Sequence, residues 1–501
     1  MLEYDALQVL SLIRSMKNTF ALVNKTPPEV LSLIPDYWED SDKDRALIGS
    51  THVCRHWREI FVSRPSLWTT LDCKHVEKTG AYIERSKASP LEIHLDGHGV
   101  THFCEEAFLL AVPHIGRLKT LSAFGWKPPV SAAFLQVLVE HFCRPAPLLK
   151  KLKIDLSRDP VPTLPGTLFR GNFPSLCELR LTGIIMPLSW RGLGNLTNFH
   201  LSDVPEHEII LAHLLDFFES APHLHDIQLL RSVPGSSNVP PERIVSLPNL
   251  RELGITSCPA SSILLDHLSI PSGATVVLGF TFYGTSSPIP PRIPENLGNL
   301  HNLSHITVMN LCFGPEQRAI QLNGPSGALY VRGKWVCEGA RPHTGTTRLL
   351  RFLNRFDTSR CRWLGITKFI SHPDPSTPIT ACATYQLLLS KGDLHTLTLI
   401  ESNNRPFIYT LNPGKNPKKA VLCPKLEGII LYIKPPHKFY VDELLSMAEE
   451  RASRGARLST TTVVSMDALA PSMEIFQLRK HVSRVECKFD NAPPAWDTVP
   501  E

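Results

Sequence analysis

The chain lacks any run of about 18 consecutive apolar residues, so its sequence predicts no membrane-spanning helix. It also lacks a Cys-x-x-Cys pair. Its 12 cysteines are scattered, the nearest two being Cys54 and Cys73. That spacing argues against a zinc ribbon or a thioredoxin-like centre, and for reduced core residues in a cytoplasmic or nuclear protein. Charge of one sign is missing too. The 52 Lys and Arg against 47 Asp and Glu leave +5, mixed along the chain, which offers no footprint for nucleic acid. There is no G-x-S-x-G, H-E-x-x-H, phosphate loop or G-x-G-x-x-G, and Gly414-Lys415 lacks the upstream glycine that a phosphate loop needs. His94, His98 and His102 are spaced by four, but Gly97 and Gly99 interrupt any helix and no Cys or acid completes a ligand set. Residues 1–14 place Glu3 and Asp5 where a secretory signal needs positive charge. These absences lead to an expectation of no enzyme activity, no cofactor and no metal.

What is present is apolar surface and proline. The hydrophobic share is 43%, enough for full cores, and 43 Pro against 28 Gly suit many short elements with rigid starts. At 501 residues the chain needs several cores or a repeat stack. Leu2, Ala6, Val9, Leu10, Ile13, Met16 and Phe20 recur at spacings of three and four, which predicts an amphipathic helix over 1–20. It either packs on the next domain or forms a short coiled-coil arm.

Residues 24–72 carry an ordered set. Pro27, Pro28 and Glu29 start a helix, with Val30, Leu31 and Ile34 following and Pro35 ending it. A polar break leads to a helix expected over about 44–61 with Leu47, Ile48, Val53, Cys54, Trp57, Ile60 and Phe61. A last turn ends at Leu67-Trp68. Short helices like these bury little area alone and tend to need a partner surface. The set Pro27-x-Glu29, Val53-Cys54-Arg55-His56-Trp57 and Leu67-Trp68 resembles the F-box, departing from it at Thr26, where the family usually has Leu. The run Tyr82-Ile83 … Ser89-Pro90-Leu91-Glu92-Ile93-His94-Leu95 is similar to F-box and leucine-rich proteins expanded in mushroom-forming fungi. The resemblance implies docking on a Skp-type adaptor, and through it a cullin, by Pro27, Pro28, Glu29, Leu31, Ile34, Val53, Cys54, Trp57, Leu67 and Trp68.

Downstream one phrase recurs, Leu-x-x-apolar-x-apolar. Its first Leu is Leu118, Leu149, Leu176, Leu196, Leu224, Leu250, Leu303, Leu394 and Leu426, with Cys361 in that place once and a hidden unit over 273–282. Most steps fall in the 20–29 range of leucine-rich repeats, whose fourth and sixth places point inward from a parallel sheet. The usual ninth-place Asn is absent, replaced by Ser157, Ile184, Val204, Ser232 and Cys258, which predicts uneven curvature and some loosely packed turns. The outward places include Lys151, Lys153, Glu178, Arg180, His305, Thr307, Trp363, Ile430 and Tyr432. Of these, Trp363, Ile430 and Tyr432 are the candidate contacts for a target protein.

The expected organisation is thus a helix at 1–23, an F-box at 24–72, an α/β solenoid at 73–490 with a hairpin-like insertion near 314–348, and a tail at 491–501. The expected fold is a curved parallel sheet with helices on its outer wall. The expected function is a substrate receptor of a Skp–cullin–F-box ubiquitin ligase that binds an unidentified target protein, with no nucleic acid and no membrane. An adaptor-bound scaffold and a plain leucine-rich interaction protein stay open beside it.

Overall fold

The computed structural model describes residues 9–38, 43–96, 104–124, 136–156, 161–187, 190–236, 239–257, 261–283, 294–313, 317–336, 353–367, 385–433, 441–465 and 477–489, apart from positions 11, 15, 19, 137, 139, 295, 296, 326, 354, 401, 403, 404, 417 and 418. The expected tail at 491–501 and His98 and His102 lie outside the described residues. The chain divides into two units, Met1–Val204 and Pro205–Glu501.

The first unit begins with helix at the described positions between 9 and 18, as the spacing predicts. Val9, Leu10, Leu12, Ile13, Met16 and Phe20 are exposed rather than packed against a following domain. Short helices follow: α1 (Pro28–Leu33), a 3-10 turn at Ile34–Tyr37, α2 (Lys43–Thr51), α3 (Arg55–Val62), a 3-10 turn at Pro65–Trp68 and α4 (Val76–Ser86). The single helix expected over 44–61 is therefore two. Gly49 weakens the first, and Cys54 stands extended (φ −157, ψ 173) as the N-cap of the second. Arg58 Nε then donates to the carbonyl of Thr51 at 2.8 Å, which satisfies a free helix end.

Six strands complete this unit: β1 (Thr70–Leu71), β2 (Leu91–Asp96), β3 (Leu118–Phe124), β4 (Lys151–Asp155), β5 (Glu178–Thr182) and β6 (Asn198–Ser202). They pair in sequence order and all in parallel. The short α5 (Glu105–Leu109) lies between β2 and β3 in the chain.

The second unit runs α6 (Leu211–Ser220), β7 (Asp226–Leu230), β8 (Val245–Ser246), β9 (Glu252–Thr256), α7 (Ser261–Leu265), β10 (Leu268–Ser269), β11 (Thr275–Tyr283), β12 (Val308–Phe313), β13 (Gln317–Asn323) and β14 (Ala328–Val336). It continues with β15 (Trp363–Thr367), β16 (Thr396–Ile400), α8 (Arg405–Leu411), β17 (Gly428–Ile433), α9 (Val441–Ser453), β18 (Thr460–Ser465) and β19 (Arg484–Phe489). Apart from the small β8–β10 pair, the sheet order is β7, β9, β11, β14, β13, β12, β15, β16, β17, β18, β19. Each unit is thus a mixed α/β stack of mostly parallel strands. The expected insertion does contain a hairpin, but it does not stand off the repeats. Strands β13 and β14 are stitched into the sheet between β11 and β12, and they supply its antiparallel pairings.

The phrase explains the stacking. Strands β4, β5, β6, β7, β9, β15, β16 and β17 each start two residues after the first-place residue. Their fourth and sixth places, such as Leu152 and Ile154, Leu179 and Leu181, or Leu397 and Leu399, are buried. The first-place N–H closes a turn onto the carbonyl three residues earlier. This recurs in Leu118 to Ile115, Leu149 to Ala146, Leu196 to Leu193, Leu224 to Ala221, Leu394 to Lys391 and Leu426 to Cys423. The residues at that earlier position are themselves buried. Here the turn's polar groups meet in the backbone, as buried N–H and C=O groups must.

One phrase was set in the wrong phase. Leu303 is not the first place of β12. Ile306 is, with Met309 and Leu311 inward, so His305 and Thr307 precede the strand and Val308, Asn310 and Cys312 face outward. One unit escaped notice altogether: Leu458, Thr461 and Val463 form the phrase of β18, disguised by Thr in the fourth place.

The ninth places are not loose. Ile184, Val204, Ser232 and Ser402 are all buried, while Ser157 and Cys258 lie outside the described residues. Ser232 Oγ and Ser402 Oγ donate to the carbonyls of Leu230 and Ile400 at 2.9 and 2.8 Å. These contacts do part of what the missing asparagines would do.

Among the described residues of the second unit, Lys391 and Arg451 are buried cationic side chains. Arg451 on α9 donates to the carbonyls of Leu422 and Cys423 at 2.7 and 2.9 Å, tying the helix back to the turn that precedes β17. Lys391 occupies the buried turn position and donates to Thr358 Oγ1 and to Ser390 Oγ, the latter at 3.0 Å. Burial lowers its ammonium from 10.5 to about 8, with nearby Cys361 and Cys423 only partly offsetting that cost. The unfolded chain holds this proton more tightly, so stability rises as pH goes from about 8 toward 10.5. Lys391→Met should remove that slope and stabilise the fold on the order of 2 kcal/mol at neutral pH, read by urea unfolding across pH.

The strand exits share a further feature. Gly183, Asp203, Arg231 and Ser257 directly follow β5, β6, β7 and β9, and all have positive φ, between 51° and 64°. Side chains strain that conformation by about 1 kcal/mol and glycine does not. Ser257→Gly should therefore raise the unfolding midpoint; a lowered midpoint would show that the Ser257 side chain compensates for its strain.

Candidate functional site

Two surfaces concentrate the sequence-predicted residues. The first is the helical module of the first unit, where Phe61 is the hub. Its ring centroid lies 5.6 Å from Trp57 edge-on and 6.2 Å from Trp38. Trp68 Nε1 donates to the Phe61 carbonyl at 2.9 Å, and its ring stands edge-on to Tyr82 on α4 at 4.9 Å. The Arg85 guanidinium covers the Trp68 ring at 4.4 Å. Trp57 Nε1 donates to Asn24 Oδ1 at 2.8 Å, and Arg64 closes α1 by bonding the Ser32 carbonyl and Asp36.

Lys78 pins α4 to the module by bonding both Asp44 and Asp72, while Tyr82 Oη donates to Asp44. Burial pushes the Asp72 carboxyl up, but the bond and charge of Lys78 outweigh it, so the group stays below the usual carboxylate range.

The residues singled out from sequence are sorted by this packing. Leu31 and Trp68 lie in the chain's own core, at 1% and 0% exposure, so they hold the module together and present no surface. Ile34, Cys54, Trp57 and Leu67 are half-buried, while Pro27, Pro28, Glu29 and Val53 are exposed. Sequence reasoning passed over Leu33 as a contact and grouped Val30 with Leu31 and Ile34 on one helix face. Leu33 and Val30 are exposed, at 48% and 51%, and one helical turn apart on the same face of α1.

The second surface is the outward face of the strands. In the first unit it is charged. Lys151 and Lys153 reach Glu178 on the next strand at 3.4 and 2.5 Å, and Lys119 reaches Glu92 at 2.7 Å. His94 at 3.8 Å and Lys119 together hold the Glu92 carboxyl down from 4.5 to about 2 against partial burial. In the second unit Trp363 is half-buried, and its Nε1 donates to Thr398 Oγ1 on β16 at 3.1 Å. Ile430 and Tyr432 are half-buried on β17, where Ile430 pairs beside Thr398. The three predicted contacts thus lie on the outward face of β15 and β17, the strands on either side of β16.

Among the described residues no His, Cys, Asp or Glu group could hold a metal ion, and no helix is long and apolar enough to cross a membrane. Burial raises the thiols of Cys73 and Cys423 to about 12 and of Cys361 to about 11, which suits core residues rather than nucleophiles. The chain matches no family model and no curated relative.

The depressed Glu92 carboxyl gives a pH signature. Its contribution to stability is whole above about 4.5 and is lost as pH falls toward about 2. Glu92→Gln should lower stability at neutral pH and flatten the acid limb between those values in denaturant titrations.

Proposed function

We propose that the chain is a non-catalytic substrate receptor of a Skp–cullin–F-box ubiquitin ligase, the module at 24–72 docking on a Skp-type adaptor and the strand face holding a target protein. The carrying observation is the way the module distributes its residues. Leu31, Phe61 and Trp68 knit it internally, while Val30, Leu33 and Val53 stay exposed, as do Pro28 and Glu29. Unpartnered apolar side chains on a folded helical module are what a dedicated partner would cover. The strand stack supports the other half of the reading, since stacked repeats expose a broad surface suited to distributed protein contacts. Holding a target near a ubiquitin-loaded conjugating enzyme accelerates transfer by proximity and needs no catalytic group in this chain.

A second reading, that the module only caps its own strands, draws on the β1–β2 pairing and the Trp68–Tyr82 contact, which tie it to the first strands. Calorimetry of the complete chain with a purified Skp-type adaptor decides between them. Binding is expected, and Leu33→Asp plus Val53→Asp should weaken it at least about tenfold with the circular dichroism unchanged. No binding by the folded chain would select the capping reading, and undiminished binding by the folded double variant would refute this docking face.

A further inference from the structure

The strand pairing reveals a partition of charge on the outward face. From β11 to β18, the first two outward positions of every strand are uncharged; they run from Thr275 and Val277 on β11 to Thr460 and Thr462 on β18. Charge returns at both margins. Glu252 on β9 pairs beside Thr275, and Arg484 and Glu486 on β19 pair beside Thr460 and Thr462. In the first unit, by contrast, β4 and β5 put Lys151, Lys153, Glu178 and Arg180 on the outward places.

Across the middle of this neutral window the side chains form a directed row. Asn310 Nδ2 donates to Gln321 Oε1 at 3.1 Å, and Gln321 Nε2 donates to Tyr330 Oη at 3.2 Å and Asn323 Oδ1 at 3.3 Å. The Asn310–Gln321 and Gln321–Tyr330 bonds run toward β14, and Asn310 Oδ1 is left as an acceptor with no hydrogen-bond partner. Asn310 lies over Gly365, where a Cβ would come within 2.3 Å of that oxygen and 3.5 Å of the Trp363 ring. Glycine there keeps the acceptor and the indole side by side, and Trp363 continues the row to Thr398. A buried acceptor without a donor is costly, and a donor from a ligand would satisfy it.

We infer that the row Tyr330–Gln321–Asn310–Trp363, its indole hydrogen-bonded to the buried Thr398, binds an extended, uncharged segment of the target protein. The row crosses four strands, a span of ~14 Å, which matches about four extended residues. A charged segment would lose water here without gaining a counter-ion, whereas backbone N–H groups and side-chain amides find an acceptor, amides and an indole face. This inference rests on the receptor reading above, for it names the class of target segment.

The test probes the complete chain with an immobilised library of short synthetic peptides, then measures the selected peptide in solution against salt concentration. Peptides free of Asp, Glu, Lys and Arg should be selected, with affinity nearly flat against salt. Trp363→Ala and Asn310→Leu should each weaken it about tenfold. Thr398→Val, which keeps the side chain's size while removing the Trp363 acceptor, guards against loss by misfolding and should weaken it several-fold. Selection of charged peptides, a steep salt dependence, no selection at all, or affinity indifferent to all three variants would overturn the inference. Adaptor binding by the same preparation separates the outcomes. Adaptor binding without peptide selection sinks this inference alone, and peptide selection without adaptor binding sinks the receptor reading.

Discussion

The strand stack of each unit depends on one repeated constraint, the parallel register of neighbouring strands. It is set where the chain enters each strand. The first-place residue closes its turn, and the next residue's N–H reaches the equivalent carbonyl of the previous repeat, as in Lys150 to Lys119, Cys177 to Lys150, His395 to Arg362 and Glu427 to His395. Once those bonds form, the fourth and sixth places of successive repeats align and bury together, and the intervening places align outward. A one-residue slip would exchange the two faces.

That constraint also explains how the stack tolerates irregular parts. The β13–β14 hairpin enters the sheet without breaking it, because β14 pairs in parallel with β11 and β12 pairs in parallel with β15. The hairpin therefore behaves as extra sheet width. It brings Tyr330 and Gln321 onto the outward face beside Asn310 and creates the neutral row. In the first unit the same outward places carry lysines facing glutamates, where each exposed ion pair contributes little to stability but gives the surface its polarity. One scaffold thus presents two chemically different surfaces.

The helical module obeys a different logic. Its core is a cluster of aromatic rings around Phe61 and Trp68, braced by Lys78 between Asp44 and Asp72. Such a small cluster needs its large residues inside. Trp68 and Leu31 are therefore unavailable to a partner, and the module's exposed apolar residues are Val30 and Leu33 on α1, Tyr37 in the turn after it, Ile48 on α2 and Val53 just before α3.

Much of this was legible in the sequence because it is local. The inward fourth and sixth places, the strand starts, the helix at Leu211–Ser220 and the turn at Leu67-Trp68 all follow from spacings within about ten residues, where side-chain periodicity mirrors backbone geometry. The rest required partners distant in sequence. The break at Cys54 depends on Arg58 reaching back to Thr51, and the phase of β12 depends on which of Leu303 and Ile306 meets the neighbouring strand. The Thr461 repeat is recognisable only from its pairing with Ile429. The neutral row joins residues of β14, β13, β12, β15 and β16, of which β13 is antiparallel to its neighbours, so no sequence period could have brought them together. Local periodicity decides which way each side chain points. Only the pairing of remote strands decides what stands beside it, and it is the neighbours that make a surface.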